Sequence, residues 1–212
     1  MVSLTPTKKR KKQASSRAWQ RMLSGRRLDL IDPSPLDIEI EDIAHGLARV
    51  ARWNGQTIGA HAFSVAQHSV IVEELCIQCS PKLTSAERLT ALLHDAPEYV
   101  IGDMISPFKT VLGDSYKGVE ERLEHAVHLR FGLPAITPPK LKKLIKRADL
   151  ICAWFEAVQL AGFSKTEANR LFGKPPVDID LELVPEPVSL AQTRFLDRHE
   201  ALLVDMVVEF QP

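Results

Sequence analysis

The sequence predicts an all-α fold, a single bundle of about six or seven helices that follows a basic N-terminal segment. Three observations lead to this prediction. Apolar residues recur at the helical period from Ile38 onward. Prolines and short polar stretches separate the periodic segments. The chain has 212 residues, of which 45% are hydrophobic and 25% charged, and this is enough for one well-buried globular domain.

The net charge of zero hides an uneven distribution of charged residues. Residues 1–27 contain nine Lys or Arg and no acid, so residues 28–212 carry 18 bases against 27 acids, a net charge of −9. We interpret 1–27 as a basic, flexible tail and 28–212 as the folded domain. An acidic domain is a poor partner for a nucleic-acid polymer, because such binding depends on cationic side chains. It can, however, bind a divalent cation.

The sequence favours a cytoplasmic protein. No segment approaches the 18 apolar residues of a membrane span, so we expect no membrane partner. The N-terminus lacks the apolar run of a secretory signal, and three cysteines do not suggest a disulfide framework. Organelle transit peptides are also basic and poor in acids, so this remains an alternative interpretation of residues 1–27.

The helical period marks the predicted elements in chain order. Five segments show it, at residues 40–53, 64–79, 116–131, 141–160 and 189–210. Thr84 and Glu87 form a capping box, which opens a further helix. That helix should run toward His94 and end near Pro97, because the residue before a proline avoids the helical conformation.

The C-terminal part of the chain combines an irregular stretch with the last helix. We interpret residues 173–187 as an extended surface loop, because a single short strand would have no partner there. Ser189 is the expected N-cap of the last helix. This helix carries four residues that could form an apolar seam of a homodimer, namely Leu202, Leu203, Met206 and Val207. The alternative is that this face packs on the core of its own chain.

The segment 91–109, ALLHDAPEYVIGDMISPFK, contains most of the residues suited to chemistry. His94 and Asp95 follow an apolar run, and an ionised carboxylate in such surroundings usually meets a metal or a cation. Glu98 comes four residues after His94, and Asp103 lies in the next loop. Together they form a dense cluster of acids around one histidine.

Two further polar residues interrupt apolar helix faces, His68 in the second predicted helix and Asp149 in the fifth. With His94 and Asp95 they form a His/His/Asp/Asp set. Such ligands suit one divalent transition ion, Mn, Co, Fe, Ni or Zn. Coordination positions left open would admit water and a substrate oxygen, as metal-assisted hydrolysis requires. Taken singly, His68 could be a core histidine, and Asp149 could pair with a nearby Lys or Arg.

The order of these residues resembles the HD-domain metal-dependent phosphohydrolases, over roughly residues 38–160. The stretch HDAPEYVIGDMISPFK is similar to the bacterial 5′-deoxynucleotidase branch, whose pattern is HD, two residues, Glu, a Gly-Asp pair, then Pro and Lys. Arg52-Trp53 resembles the pair that faces the substrate in that branch. Residues 25–57 look more like small HD hydrolases of bacteria and phages. Gln67 departs from the pattern, since deoxynucleotidases often carry Glu before the first histidine.

The resemblance implies a helical bundle around one metal and a role for each matching residue. The metal ligands would be His68, His94, Asp95 and Asp149. Glu98 would transfer protons, and Asp103 would position water or the sugar hydroxyl. Arg52 and Lys109 would bind the phosphate, with Trp53 beside the sugar or base. Positioning and charge neutralisation of this kind are what phosphoryl transfer requires.

The leading hypothesis is therefore a metal-dependent phosphohydrolase that acts on a nucleotide, most simply a deoxynucleoside 5′-monophosphate. A triphosphohydrolase of deoxynucleoside triphosphates and a cyclic-nucleotide phosphodiesterase are alternatives within the same class. A non-catalytic sensor of metal and nucleotide is the alternative from another class. Among the other histidines, we expect a solvated helix face for His125 and His128 and surface positions for His61 and His199.

Overall fold

A computed structural model describes residues 18–105 and 114–209 of the chain. Within these residues it contains one antiparallel hairpin and eight α-helices, which confirms the predicted all-α class. The elements are β1 (Trp19–Arg21), β2 (Arg27–Asp29), α1 (Ile40–Leu47), α2 (Val65–Cys79), α3 (Ser85–Leu92), α4 (Glu98–Ile101), α5 (Asp114–Arg130), α6 (Pro139–Gln159), α7 (Lys165–Phe172) and α8 (Val188–Glu209).

The hairpin lies at the end of the basic N-terminal segment. Strand β1 pairs with β2 in the register Trp19 to Asp29, so the hairpin spans the predicted boundary at residue 28. Ser24 in the turn attaches it to the helices, since its N–H and hydroxyl both donate to the buried Asp42 carboxylate of α1. The first 17 residues of the predicted tail lie outside the described residues, and the division into tail and domain stays a prediction.

Helix α1 ends at Leu47, six residues before the predicted end at Trp53. The chain after it is extended, and Ala51 bridges Ser64 in an antiparallel pair. The N–H of Arg52 donates to the Phe63 carbonyl at 2.8 Å, so a distant segment satisfies the backbone groups that a longer helix would have paired. The tertiary pairing of Ala51 with Ser64 therefore replaces the helix that the local period predicted for this stretch.

Side chains cap the starts of several helices. The Ser64 hydroxyl accepts from the Gln67 N–H at the start of α2. Thr84 and Glu87 form the predicted capping box of α3, which ends at Leu92 and is followed by a turn and the short helix α4. Helix α7 was not predicted, although Ser164 and Glu167 form a capping box at its start.

The last helix and the loop before it differ from the prediction in one respect. Helix α8 begins at Val188, so Ser189 lies inside the helix and is not its N-cap. Residues 173–187 form the predicted irregular loop. Gln67 holds this loop, because its amide donates to the Val184 carbonyl at 2.7 Å and accepts from the Glu186 N–H at 3.1 Å. Gln67 therefore has a structural use for both ends of its amide.

Helix α2 is central to the bundle and packs against α3, α6 and α8. One apolar core lies between α1, α3, α5 and α8, and a second lies between α2, α6 and α7. His128 of α5 and His199 of α8 are buried, which contradicts the predicted surface positions. The ring of His199 packs edge-on against Phe131, 4.8 Å between centroids, so the histidine serves as a core side chain.

The proposed dimer seam on α8 is mostly covered by the chain itself. Leu202 is fully buried, and Leu203 and Met206 pack against the first core. Of the four predicted seam residues only Val207 is largely exposed, at 61%. The homodimer stays a prediction, and the burial of Leu202 favours the alternative that this face packs on the core of its own chain. In the described part of the chain, no helix has the length and apolar composition that crossing a membrane would require.

Candidate metal centre and active site

Four predicted metal ligands meet where three helical regions converge. His68 lies in the first turn of α2, and its side chain is fully buried. His94 and Asp95 lie in the turn just after α3, and Asp149 lies midway along α6. Because α2 packs against both α3 and α6, residues that are distant in the sequence come together at one point.

The ligand atoms of these residues lie close together. Single atoms of His68, His94 and Asp149 are all within 4.8 Å of one another. Nε2 of His68 is 3.5 Å from Oδ2 of Asp95 and 3.5 Å from Oδ1 of Asp149. Nε2 of His94 is 3.2 Å from the same Asp95 oxygen. Two imidazole nitrogens and an Asp149 oxygen therefore form one close group, and an Asp95 oxygen lies within 3.5 Å of both nitrogens.

Hydrogen bonds at the opposite ring atoms define the tautomers of both histidines. Nδ1 of His94 lies 2.9 Å from the Ala91 carbonyl, and Nδ1 of His68 lies 2.6 Å from a carboxylate oxygen of Glu156. Both partners accept, so each Nδ1 donates its proton, and a neutral ring in this tautomer has its lone pair at Nε2. Among the described residues neither buried Nε2 makes a hydrogen bond. This donor set fits a divalent cation.

The electrostatics of the site favour positive charge at its centre. Burial alone would raise the pKa of the Asp95 carboxyl, but the neighbouring His94, His68 and Arg52 hold it far below its usual range. Burial alone would lower the pKa of His94, but the Asp95 carboxylate beside it raises this pKa overall. A proton or a metal ion at Nε2 would meet the same negative field.

Asp149 contributes one oxygen to the centre and one to a lysine. Its Oδ2 accepts from Nζ of Lys146 at 2.8 Å, while Oδ1 faces His68. The pairing with lysine that the sequence left open as an alternative is therefore present, and it leaves the other oxygen directed at the histidine. The two interpretations of Asp149 are compatible.

The two predicted catalytic acids lie on either side of the short helix α4. Glu98 is its first residue and is 3% exposed, and its N–H donates to the Asp95 carbonyl at 3.0 Å. The helix ends at Ile101, and the φ of 76° at the next residue, Gly102, suits glycine. Asp103 follows directly and accepts from Nη1 of Arg52 at 3.1 Å. Helix α4 thus sets the distance between the two acids.

Arg52 and Trp53 occupy a strained turn beside the metal ligands. Trp53 and Asn54 have φ values of 56° and 52°, the left-handed region that bulky side chains rarely adopt. The Trp53 ring lies 5.5 Å from Phe163 and 5.9 Å from Phe172, between centroids. Backbone strain of this kind concentrates at functional sites, where the surrounding structure maintains it.

Glu156 is a site residue that the sequence analysis missed. It is fully buried on α6, and its carboxylate contacts Nδ1 of His68, Nε1 of Trp53 and Nε of Arg52. Burial alone would raise its pKa, but Arg52 and His68, with the Trp53 hydrogen bond, hold this pKa far below the usual value. Its sequence signal was the spacing, because Glu156 comes seven residues after Asp149 and so shares its helix face.

A second group of potential ligands, His68, Cys152 and Glu156, is better explained by hydrogen bonding. The Cys152 thiol donates to Oε1 of Glu156 at 3.2 Å. Burial, the largest effect, raises the pKa of this thiol well above its ordinary value, and the nearby Glu156 carboxylate adds to the shift. A protonated thiol is a poor metal ligand. Cys152 and Glu156 therefore support the metal ligand His68 through hydrogen bonds and are not ligands themselves.

Three of the predicted metal ligands, His94, Asp95 and Asp149, line a cleft of about 500 Å³. Its lining mixes acids, among them Glu98 and three glutamates of α5, with four lysines. The lysines that line it are Lys117, Lys142, Lys143 and Lys146. The volume is in the range of pockets that hold small organic ligands. Lys109, the predicted second phosphate ligand, lies outside the described residues.

Comparisons with known proteins identify the family of the chain. The chain is 59% identical over 191 residues to an uncharacterised protein of Rhodobacter capsulatus, covering 88% of this chain and 96% of the relative. It is 39% identical over 115 residues to the uncharacterised protein YfdR of Escherichia coli, covering 54% of this chain and 57% of the relative. The sequence profile of a family described as YfbR-like 5′-deoxynucleotidases matches residues 43–169, a range that includes His68, His94 and Asp149. The predicted resemblance is thereby confirmed, and the chain belongs to the YfbR-like 5′-deoxynucleotidase family of HD-type phosphohydrolases.

Proposed function

We propose that the protein releases phosphate from deoxynucleoside 5′-monophosphates with the help of one divalent transition metal ion. The observation that carries this proposal is the convergence of His68, His94 and Asp149, with both buried Nε2 atoms directed to one point. Family membership supports hydrolase chemistry in general. The donor types favour Mn, Co, Fe, Ni or Zn.

The proposed metal ligands are His68, His94, Asp95 and Asp149. When bound, such an ion supplies a water of lowered pKa and polarises a phosphoryl oxygen. The chain prepares the site in advance, because the Nδ1 hydrogen bonds keep both imidazoles in the tautomer that a metal requires.

Glu98 is the proposed proton-transfer group. It is buried at the cleft wall one turn after Asp95, close to the centre. A carboxylate held there can accept a proton from the attacking water and return it to the leaving sugar oxygen. Asp103 is the proposed group that orients the sugar hydroxyl or water, and Arg52 holds its carboxylate in place at 3.1 Å.

The proposed substrate contacts are Arg52, Trp53 and Lys109. In the structure Nε and Nη1 of Arg52 already contact Glu156 and Asp103. Its Nη2 makes no hydrogen bond to any described residue, so this is the donor we assign to the phosphate. Trp53 offers a ring, held by its strained turn, for the sugar or the base.

The lysines of the cleft favour a second candidate function, hydrolysis of a deoxynucleoside triphosphate. Lys142 and Lys143 supply positive charge beyond the metal ligands, where additional phosphates would need it. The two candidates differ in their products, because the first yields inorganic phosphate and the second yields tripolyphosphate.

The test is a product screen of the purified chain with each of the five metals. The substrates are deoxynucleoside 5′-monophosphates, the matching ribonucleotides, triphosphates and cyclic nucleotides, and the products are resolved by ion chromatography. We expect inorganic phosphate from the deoxynucleoside monophosphates. Tripolyphosphate would select the second candidate, and opening of a cyclic nucleotide would select a phosphodiesterase. Tight metal and nucleotide binding without any product would identify a sensor and overturn the proposal.

We further propose that the protein acts in the cytoplasm, where nucleotides of this kind are present. The three cysteines, Cys76, Cys79 and Cys152, are free thiols in the structure, as expected in a reducing compartment. Assembly as a homodimer is also a proposal, and light scattering that gives only the 23.7 kDa monomer would contradict it.

A further inference from the structure

We propose that Glu156 is a positioning residue that couples the metal ligand His68 to the substrate residues Arg52 and Trp53. The proposal rests on the function proposed above, since it uses the roles assigned to those three residues. Glu156 is fully buried on α6 and is not among the residues that line the cleft. It therefore acts through its neighbours and not on the substrate.

Four donors converge on the two oxygens of this one carboxylate. Oε1 accepts from Nδ1 of His68 at 2.6 Å and from the Cys152 thiol at 3.2 Å. Oε2 accepts from Nε1 of Trp53 at 2.6 Å and from Nε of Arg52 at 3.3 Å. Only an ionised carboxylate can accept at both ends, because an amide has one accepting and one donating end. The arrangement therefore requires Glu at this position.

On the metal side, Glu156 selects the His68 tautomer. A carboxylate that accepts from Nδ1 keeps the proton there and leaves the lone pair at Nε2 for the ion. If a donor replaced the acceptor, the proton would move to Nε2 and the ring could no longer bind a metal. Partners of this kind are typically worth 10- to 100-fold in metal affinity.

On the substrate side, Glu156 holds the strained turn. The Trp53 indole donates to it from a residue with a φ of 56°, a conformation that needs support from its surroundings. Arg52 connects Glu156 to Asp103, so the carboxylate also determines where this proposed catalytic acid lies. One buried group thus sets the metal ligand and the substrate contacts relative to each other.

The variant that tests this inference is Glu156→Gln in the full chain. Trp53 and Arg52 can only donate, so the amide oxygen should face them and the NH₂ group should face His68, whose ring can change its tautomer. We expect affinity for Co²⁺ or Mn²⁺, measured by competition with a chelator, to fall 10- to 100-fold. We also expect KM for a nucleotide to rise. A metal affinity within twofold of wild type would overturn the proposal.

The control is Glu73→Gln on α2. Glu73 is equally buried and has two cationic partners, Arg88 at 2.7 Å and Arg198 at 2.6 Å, but it contacts none of the site residues. A purely structural effect of removing a buried charge would appear in both variants as lower thermal stability. Only Glu156→Gln should also weaken metal binding.

A second measurement needs no variant. Nitrogen NMR of the wild-type imidazoles reports which nitrogen of His68 carries the proton, and we expect Nδ1. Protonation at Nε2 alone would overturn the proposal. The metal-affinity and NMR measurements are made without substrate, so they test Glu156 even if the product screen rules out nucleotide hydrolysis.

Discussion

Gly46 of α1 lies so close to Tyr99 of α4 that a Cβ at residue 46 would be 2.7 Å from Cβ of Tyr99 and 2.9 Å from its backbone oxygen. Only glycine fits this contact. Because α4 begins at Glu98 and ends just before Asp103, the contact between the two helices positions both proposed catalytic acids.

We therefore expect Gly46→Ala to lower both stability and turnover. The clash is with backbone, so α4 must shift, and overpacking of this kind costs about 1–3 kcal/mol. The gain in helix propensity, about 1 kcal/mol, offsets only part of this cost. Urea unfolding and steady-state kinetics measure the two effects, and the metal content should stay at the wild-type value.

The matched control is Gly118→Ala on α5. There the nearest atom to a new Cβ is the end of the flexible Arg122 side chain, at 3.5 Å. This variant should gain about 0.5–1 kcal/mol from helix propensity and leave turnover unchanged. If Gly46→Ala is as stable and active as wild type, the contact does not position the acids.

The sequence could predict much of the candidate site because several of its signals are local. His94 and Asp95 interrupt an apolar run, and the helical period places His68 and Asp149 on faces that turn inward. Glu156 was missed because its spacing from Asp149 is a weak signal for a single acid in an apolar helix. Its role depends on three partners that are distant in the sequence.

The strained turn could not be predicted for a different reason. The helical period continues through Arg52, but the pairing of Ala51 with Ser64 replaces the helix there. A left-handed Trp53 follows from this tertiary contact and from no local preference. The burial of His199 could not be predicted either, because an isolated polar residue on a helix gives no sign of the ring that packs against it.

Asp95→Ala should remove metal and activity together. Asp95 lies within 3.5 Å of both proposed histidine ligands, and without it the centre loses a carboxylate that favours a cation. Elemental analysis of the purified protein should fall from about one ion per chain to near zero. Asp178→Ala, at an exposed loop position, should keep its metal. Equal metal in wild type and Asp95→Ala would exclude Asp95 as a ligand.

We expect the protein to lose stability in mild acid, because His199 is buried. Burial lowers its pKa from 6.5 to about 4, so between these values the unfolded chain binds a proton that the folded chain does not. The contribution of neutral His199 to the free energy of unfolding is fully present above pH 6.5 and is lost as the pH falls toward 4. At pH 5 the loss is about 2 kcal/mol.

The variant His199→Leu should remove this part of the acid sensitivity. Urea unfolding at pH 7.5 and pH 5 should show a larger loss of stability for wild type than for the variant, by about 2 kcal/mol. The control His61→Gln, at an exposed position, should behave like wild type. An identical pH dependence in wild type and His199→Leu would show that this histidine is not the sensitive group.

The role of Glu98 can be separated from metal binding with the variant Glu98→Gln. Glutamine keeps the size of the buried side chain but cannot accept the proton, so kcat should fall by about 10²- to 10⁴-fold while the metal stays bound. KM should change much less, because the lost interaction belongs to the transition state. Glu121→Gln, an exposed change in the same cleft, serves as the control and should leave kcat unchanged. If Glu98→Gln retains both its metal and a near-wild-type kcat, another group transfers the proton. Asp103 is then the first residue to test, since Arg52 holds it on the other side of α4.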